Sequence, residues 1–151
     1  MSDGRLHTRE DSGLVLDREG RWFHDGVLVE NPKIAEAFSR GIERDEQGRY
    51  VLRFGNDWCF VTVQDAPLQV ESLTAAPGGI VLALSNGRRE PLRPETLRLR
   101  GEVLYCTAQA GLTARLSRSA QFALGGLLEE RPGGYVLVLA GREHPVAEEP
   151  A

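Results

Sequence analysis

Apolar residues in this chain come in short bursts separated by turn-forming residues, and the first three bursts make a meander. "LVL" (residues 14–16) leads into "DREG", "RWFH" follows, and "DG" separates it from "VLV" (residues 27–29). Asp-Gly between apolar pairs marks a tight hairpin, because glycine supplies the positive φ such turns require. The period then changes. In "NPKIAEAFSRGIER", Ile34, Phe38 and Ile42 recur at a spacing of four with Ala35 beside them, which predicts a helix with a buried stripe. Asn31 is its expected cap and Pro32 its first residue. Gly41 weakens it by ~1 kcal/mol relative to alanine.

Alternation resumes in "RYVLRF" and "WCFVTVQ", joined by "GND". In the second of these strands Cys59, Val61 and Val63 share one face, and Trp58, Phe60 and Thr62 the other. "DAPLQVESL" leaves this unit and "TAAPGG" is expected to be a connection. "IVLALSNGRREPL" predicts a hairpin with Asn86-Gly87 at its tip, and "LRLRGEVLYCT" a further strand pair. "SRSAQFALGGLLEE" predicts a second helix capped by Ser117, with Ala120, Leu124, Leu127 and Leu128 as its stripe. Gly125-Gly126 inside that helix suggests close approach of another backbone. "RPGG" ends the helix and "YVLVLA" closes the chain's last strand.

The order repeats. "GRWFH", a helix and "EQGRYVLRF" are echoed by "GEVLYC", a helix and "RPGGYVLVLA", with Tyr50-Val51-Leu52 matching Tyr135-Val136-Leu137. The expected fold is therefore α+β, in two similar halves, each an antiparallel sheet with one main helix. Residues 1–13 are expected to be a flexible tail, 14–75 the first half and 76–147 the second. The end, "AEEPA", reads as a second tail.

Composition narrows the class. Across 151 residues, 41% are hydrophobic and 26% charged, ordinary for a globular protein and unlike a disordered one. No apolar run reaches the ~18 residues of a membrane span, and the polar start carries no secretory signal. Cys59 and Cys106 each sit inside an apolar strand without a CxxC pattern, as buried free thiols of a cytoplasmic protein do. The net charge of −4 argues against a nucleic-acid binder. Residues 88–118, however, hold seven arginines against three glutamates, a balance of +4. Such a basic middle is either a local anion site or a consequence of arginine being the default cation of a chain whose one lysine is Lys33.

Two stretches resemble the family of bacterial proteins known as domain of unknown function 1285 (DUF1285). One begins with "DREGRWFHDG" and continues through Pro32, Ile34 and Phe38, then Gly48-Arg49-Tyr50, then Val63-Gln64-Asp65-Ala66-Pro67. The other is "GLTARLSR", residues 111–118. The resemblance spans residues 14–146. It departs at Gln64, where members carry glutamate, and at the closing "LAGREHPV". The resemblance implies a duplicated α+β architecture, a pleckstrin-homology-like C-terminal half, and a nucleotide-like ligand between the halves with a role in signalling. It implies no enzymatic activity.

Candidate site residues follow from chemistry. Arg115 and Arg118 flank the start of the second helix, where backbone N–H groups favour an anion and arginine suits forked phosphate contacts. Both reach one ligand only if the helix has already begun at Arg115. Ser117 and Ser119 could add hydroxyl donors, or Ser117 could only cap. Trp22 and Phe23 read as core or as a stacking platform, His24-Asp25 as turn or proton-transfer pair, and Asp65 as a turn residue or a ligand contact. Arg115, Arg118, Ser117, Trp22, His24 and Asp65 are thus expected around a cleft between the halves. Glu129-Glu130 reads as a solvated helix end. No metal-ligand spacing exists among His7, His24 and His144, and no P-loop, GxSxG or GxGxxG pattern is present. No cofactor and no metal are expected. The reading is a non-catalytic module that binds a nucleotide-like or other phosphorylated small molecule, neither nucleic acid nor membrane, with its oligomeric state open. Alternatives are a small hydrolase using His24, Asp65 and a Ser117 or Ser119 hydroxyl, and a protein-interaction adaptor using an exposed strand edge.

Overall fold

A computed structural model describes residues 8–150. The chain divides into two compact units between Pro67 and Leu68, so residues 68–75 belong to the second unit. The expected N-terminal tail lies in part outside the described residues (1–7, including His7). The rest of it is fastened down. Phe60 N–H donates to the Arg9 carbonyl at 2.8 Å, Ser12 Oγ donates to the Phe60 carbonyl at 2.6 Å, and Arg9 pairs with Asp57 at 3.2 Å.

The first unit runs β1 (Leu14–Leu16), β2 (Trp22–His24), β3 (Val27–Leu28), α1 (Pro32–Arg40), β4 (Ile42–Arg44), β5 (Tyr50–Phe54), β6 (Asp57–Phe60) and β7 (Thr62–Val63). One sheet has the order β3-β2-β1-β7 and the other β4-β5-β6. All neighbours are antiparallel except β7, which runs parallel to β1. The β1–β2 turn is built by Asp17, whose Oδ1 accepts from the N–H of Glu19 and Arg21 and whose Oδ2 accepts from Arg21 Nε. Asp45 does the same between β4 and β5, accepting from Gln47 N–H, Arg49 N–H and Arg49 Nε. "DREGR" and "DEQGR" are thus one turn used twice. Between β2 and β3, Asp25 and Gly26 both adopt positive φ (51° and 82°), the geometry of a two-residue hairpin whose strands keep their twist.

Helix α1 is capped by the Asn31 side chain, which accepts from Lys33 N–H at 2.9 Å. It is shorter than its apolar period. Gly41 ends it, its N–H shared between the Ala37 and Phe38 carbonyls while its own carbonyl accepts from Arg53 N–H. The chain leaves as β4, so Ile42 is buried but lies on a strand facing Leu52. The expected stripe is only partly core, because Ile34 is exposed and Phe38 half-buried.

The second unit runs β8 (Leu68–Ala76), β9 (Gly79–Leu84), β10 (Arg89–Pro91), a single 3-10 turn (Pro94–Thr96), β11 (Arg98–Arg100), β12 (Val103–Thr107), β13 (Thr113–Leu116), α2 (Arg118–Gly125), β14 (Leu128–Arg131), β15 (Gly134–Leu139), β16 (Arg142–Pro145) and β17 (Ala147–Glu149). The larger sheet has the order β10-β9-β8-β13-β12-β11-β17, the smaller β14-β15-β16. "TAAPGG" is a hairpin tip, with Ala76 opposite Gly79. The Asn86-Gly87 hairpin forms as its sequence predicts. "LLEE" is strand instead of helix: α2 stops at the Gly125-Gly126 pair, and Leu128 faces Leu137 across β15. Residues 147–149 form a strand parallel to β11, so most of the expected C-terminal tail is sheet. Ala114 and Leu116 of β13 face Leu68 and Val70 of β8, and with Leu104, Cys106 and Leu82 they are buried.

The two units contain the same module. Hairpin, helix, three-stranded meander and parallel return strand give β3-β2-β1-β7 in the first unit and β13-β12-β11-β17 in the second. Specific bonds coincide. Tyr50 and Tyr135 both lie on the middle strand of a meander, and their carbonyls accept from Val61 and Val146 N–H. Gly41 and Leu127, just past the two helices, accept from Arg53 and Val138. The fold is α+β and duplicated, but the copies are unequal: the second begins only at β11, and β8, β9 and β10 have no counterpart in the first.

Candidate functional site

The start of α2 decides how its arginines are placed. Ser117 is the cap, its Oγ accepting from Ala120 N–H and donating to the Glu71 carbonyl at 3.2 Å. Its hydroxyl also meets Ser119 Oγ at 3.3 Å. The helix therefore begins at Arg118, and Arg115 is a strand residue three positions earlier. Arg115 sits half-buried in the middle of the larger sheet, opposite Tyr105 on β12 and Gln69 on β8, and it is engaged in the fold. Arg118 is exposed at the first helical position with no ion pair among the described residues. The two guanidiniums do not form a helix-face pair.

The rest of the basic segment is largely structural. Arg93 donates to the Thr107 and Ala108 carbonyls. Arg98 donates to the Thr96 carbonyl and to the Thr107 and Thr113 hydroxyls, and lies 3.5 Å from Glu149. Arg100 pairs with Glu149 and lies over the Tyr105 ring. Arginine here fastens strands together with its several N–H donors.

In the first unit, Trp22 is core and no stacking platform. It is 1% exposed, its Nε1 donates to Ser39 Oγ at 2.9 Å, and Phe38 meets it edge-on at 5.4 Å. His24 is part-exposed on β2, and its Nε2 lies 3.8 Å from Asp25 Oδ2, beyond hydrogen-bond length. Asp65 is half-buried just past β7 and holds an interaction of its own. Ser12 and Ser39, the serines of this unit among the described residues, both use their hydroxyls structurally. Burial disfavours the thiolate at both cysteines. Burial pushes Cys106 up to about 12 against the weaker pull of Arg98, and burial also raises Cys59. Among the described residues no cluster of three His, Cys, Asp or Glu side chains is placed to hold a metal.

One feature escaped the sequence. The open face of β4-β5-β6 carries a hollow of about 150 Å³ floored by Val51, Trp58 and Phe60. Trp58 and Phe60 meet edge-on at 5.1 Å, and Arg49 covers the Phe60 ring at 4.3 Å. The alternation of "WCF" put both rings on one face. The cross-strand arginines above them have no periodic signature. Arg49 and Arg53 are paired with Asp45 and Glu43, while Arg44 at the rim lies over the Tyr50 ring and donates to the Gly48 carbonyl.

The site and sheets together define a duplicated α+β protein with an exposed arginine at one helix start. The same fold is found in two solved DUF1285 family proteins. One, from Silicibacter pomeroyi DSS-3, is 21% identical with a TM-score of 0.73 over 89% of this chain and 79% of that one. The other, from Shewanella baltica OS155, is 20% identical with a TM-score of 0.66 over 76% of this chain and 91% of that one. This chain thus has the DUF1285 fold. No protein-family model and no curated protein matches it. No helix among the described residues is long and apolar enough to cross a membrane.

Proposed function

We propose that the protein is a non-catalytic module that binds an anionic small molecule, nucleotide-like or otherwise phosphorylated, at the start of α2, and serves as a sensor of it. The observation that carries this reading is Arg118: an exposed guanidinium at the first position of a helix, with no ion pair among the described residues and followed by Ser119. The helix start contributes partial positive charge and N–H donors. Arg115 acts behind it as part of the sheet. A catalytic role is not favoured, because the thiols are buried and raised and the serine hydroxyls described in the first unit are committed. Two unpaired buried cysteines suit a reducing, cytoplasmic compartment.

A thermal-shift panel of nucleotides and pyrophosphate tests this, run at low and high salt on the full chain, on Arg118→Ala and on Arg88→Ala. Arg88 is also exposed, next to the β9–β10 turn, and serves as the control. A ligand at 100 times its Kd adds ~2.7 kcal/mol of stability. That gain should vanish in Arg118→Ala and persist in Arg88→Ala. Equal responses from the two variants, or none from the parent protein, would overturn the reading.

A further inference from the structure

The two copies of the module differ at one edge. In the second, the outer side of β13 is occupied by β8, which runs parallel to it with Leu68 and Val70 buried opposite Ala114 and Leu116. Val70 also accepts from the Ser117 N–H at 3.0 Å, and β8 packs against α2. In the first copy the corresponding strand, β3, is the edge of its sheet, with no further strand paired to it among the described residues.

That edge has the features of a vacancy. Val27 is 69% exposed and Leu28 41%. Val29 N–H donates inward to the Trp22 carbonyl, so by the alternation of an antiparallel ladder Leu28 turns its own N–H and C=O outward. The helix shows the same gap. Ile34 and Ala120 both stand three residues after their caps, Asn31 and Ser117. Ala120 is buried, whereas Ile34 is 45% exposed. Monomeric proteins guard sheet edges with charge or proline. The larger sheet does so with Pro91 on β10 and Glu148-Glu149 on β17, but β3 has neither.

We propose that the β3 edge is a strand-addition site for an extended segment of a partner protein. The segment runs parallel to β3, with apolar residues at alternate positions in the pattern of Leu68-Gln69-Val70. The internal copy is the template for this occupant. The parallel direction disfavours a second copy paired through the same edge, since a two-fold axis sets identical edge strands antiparallel. The apolar positions of the segment cover Leu28 and Ile34, and its backbone takes the outward groups of Leu28.

The probe is a labelled synthetic peptide of residues 66–72, "APLQVES", titrated into the full chain by fluorescence polarisation, with a scrambled peptide of the same composition alongside. Leu28→Pro removes the outward N–H without touching the β2–β3 ladder, and Ile34→Lys places a charge on the apolar path. Saturable binding of the probe and not of the scrambled peptide is expected, weakened about tenfold by Leu28→Pro, as the loss of one hydrogen bond implies. Ile34→Lys should weaken it as well, with both variants melting like the parent. No binding at millimolar peptide, or binding to both variants as tight as to the parent, overturns the proposal. So does concentration-dependent dimerisation of the parent that Leu28→Pro abolishes, which would assign the edge to a second copy.

Discussion

The first module is anchored by an aromatic cluster and the second by aliphatic packing. In the first, Trp22 reaches α1 through Phe38 and the Ser39 hydroxyl. In the second, Leu124 and Ala120 of α2 are buried in a unit whose β13 is flanked by β8. What the two share is the connections: a capped helix, a Tyr-led middle strand, and a return strand parallel to the first. Topology here is carried by backbone hydrogen bonds at fixed points, and cores of quite different chemistry satisfy it.

The largest expected effect tests the aromatic anchor. Trp22→Ala should cost about 3–5 kcal/mol in urea unfolding; a loss below about 1 kcal/mol would mean that the first core does not depend on the indole. Ser39→Ala should cost about 1–3 kcal/mol, because it leaves the buried Trp22 N–H without an acceptor. A double-mutant cycle with Trp22→Phe should absorb most of that loss. The two helix ends give the sharpest contrast. A Cβ on Gly41 would run into the Arg53 carbonyl oxygen, whereas one on Gly126 meets only the Ala123 carbonyl at 3.6 Å. Gly41→Ala should therefore destabilise by about 1–3 kcal/mol, while Gly126→Ala, at a helical φ of −67°, should stabilise by about 0.4–1 kcal/mol. Equal melting shifts would undo the distinction.

The smallest effect is at acid pH. Desolvation raises the Asp45 carboxyl, but hydrogen bonds from Arg49 and Gln47 outweigh it and hold the group below the usual carboxylate range. A depressed folded-state value means that the stabilisation is present above the ordinary carboxylate pKa and is lost as pH falls through the lowered one. Asp45→Asn should remove that dependence from the acid limb of a Tm–pH curve, and an unchanged limb would show that the turn closes without its charge.

Turns were the most legible part of the sequence. Asp-Gly, Asn-Gly and the two D-x-x-G-R stretches act within five residues, so their geometry is written locally. Helix lengths were less so. The period of four carried through Gly41 to Ile42 and through Gly125-Gly126 to Leu128, because a strand entered directly from a helix keeps its apolar residues facing the same core. Close backbone approach exists at Gly41, where it was not expected. At Gly125, where it was, the space is open, and at Gly126 a Cβ would meet only its own helix's Ala123 carbonyl at ordinary contact distance. The separation of Arg115 from Arg118 turned on one residue, the Ser117 cap. The strand role of Leu68–Ala76 was hidden because its partners, β13 and β9, include one more than 40 residues away.

The parallel return strands also set an order of events during synthesis. The D-x-x-G-R turns can close as soon as five residues are free, but β1 waits for Thr62 and Val63 before its sheet is complete, and β11 waits for Ala147. Distant closures of this kind come late in folding. A nascent chain halted before residue 62 therefore holds local hairpins with β1 still uncovered on one side, and it is in that interval that a chaperone has most to protect.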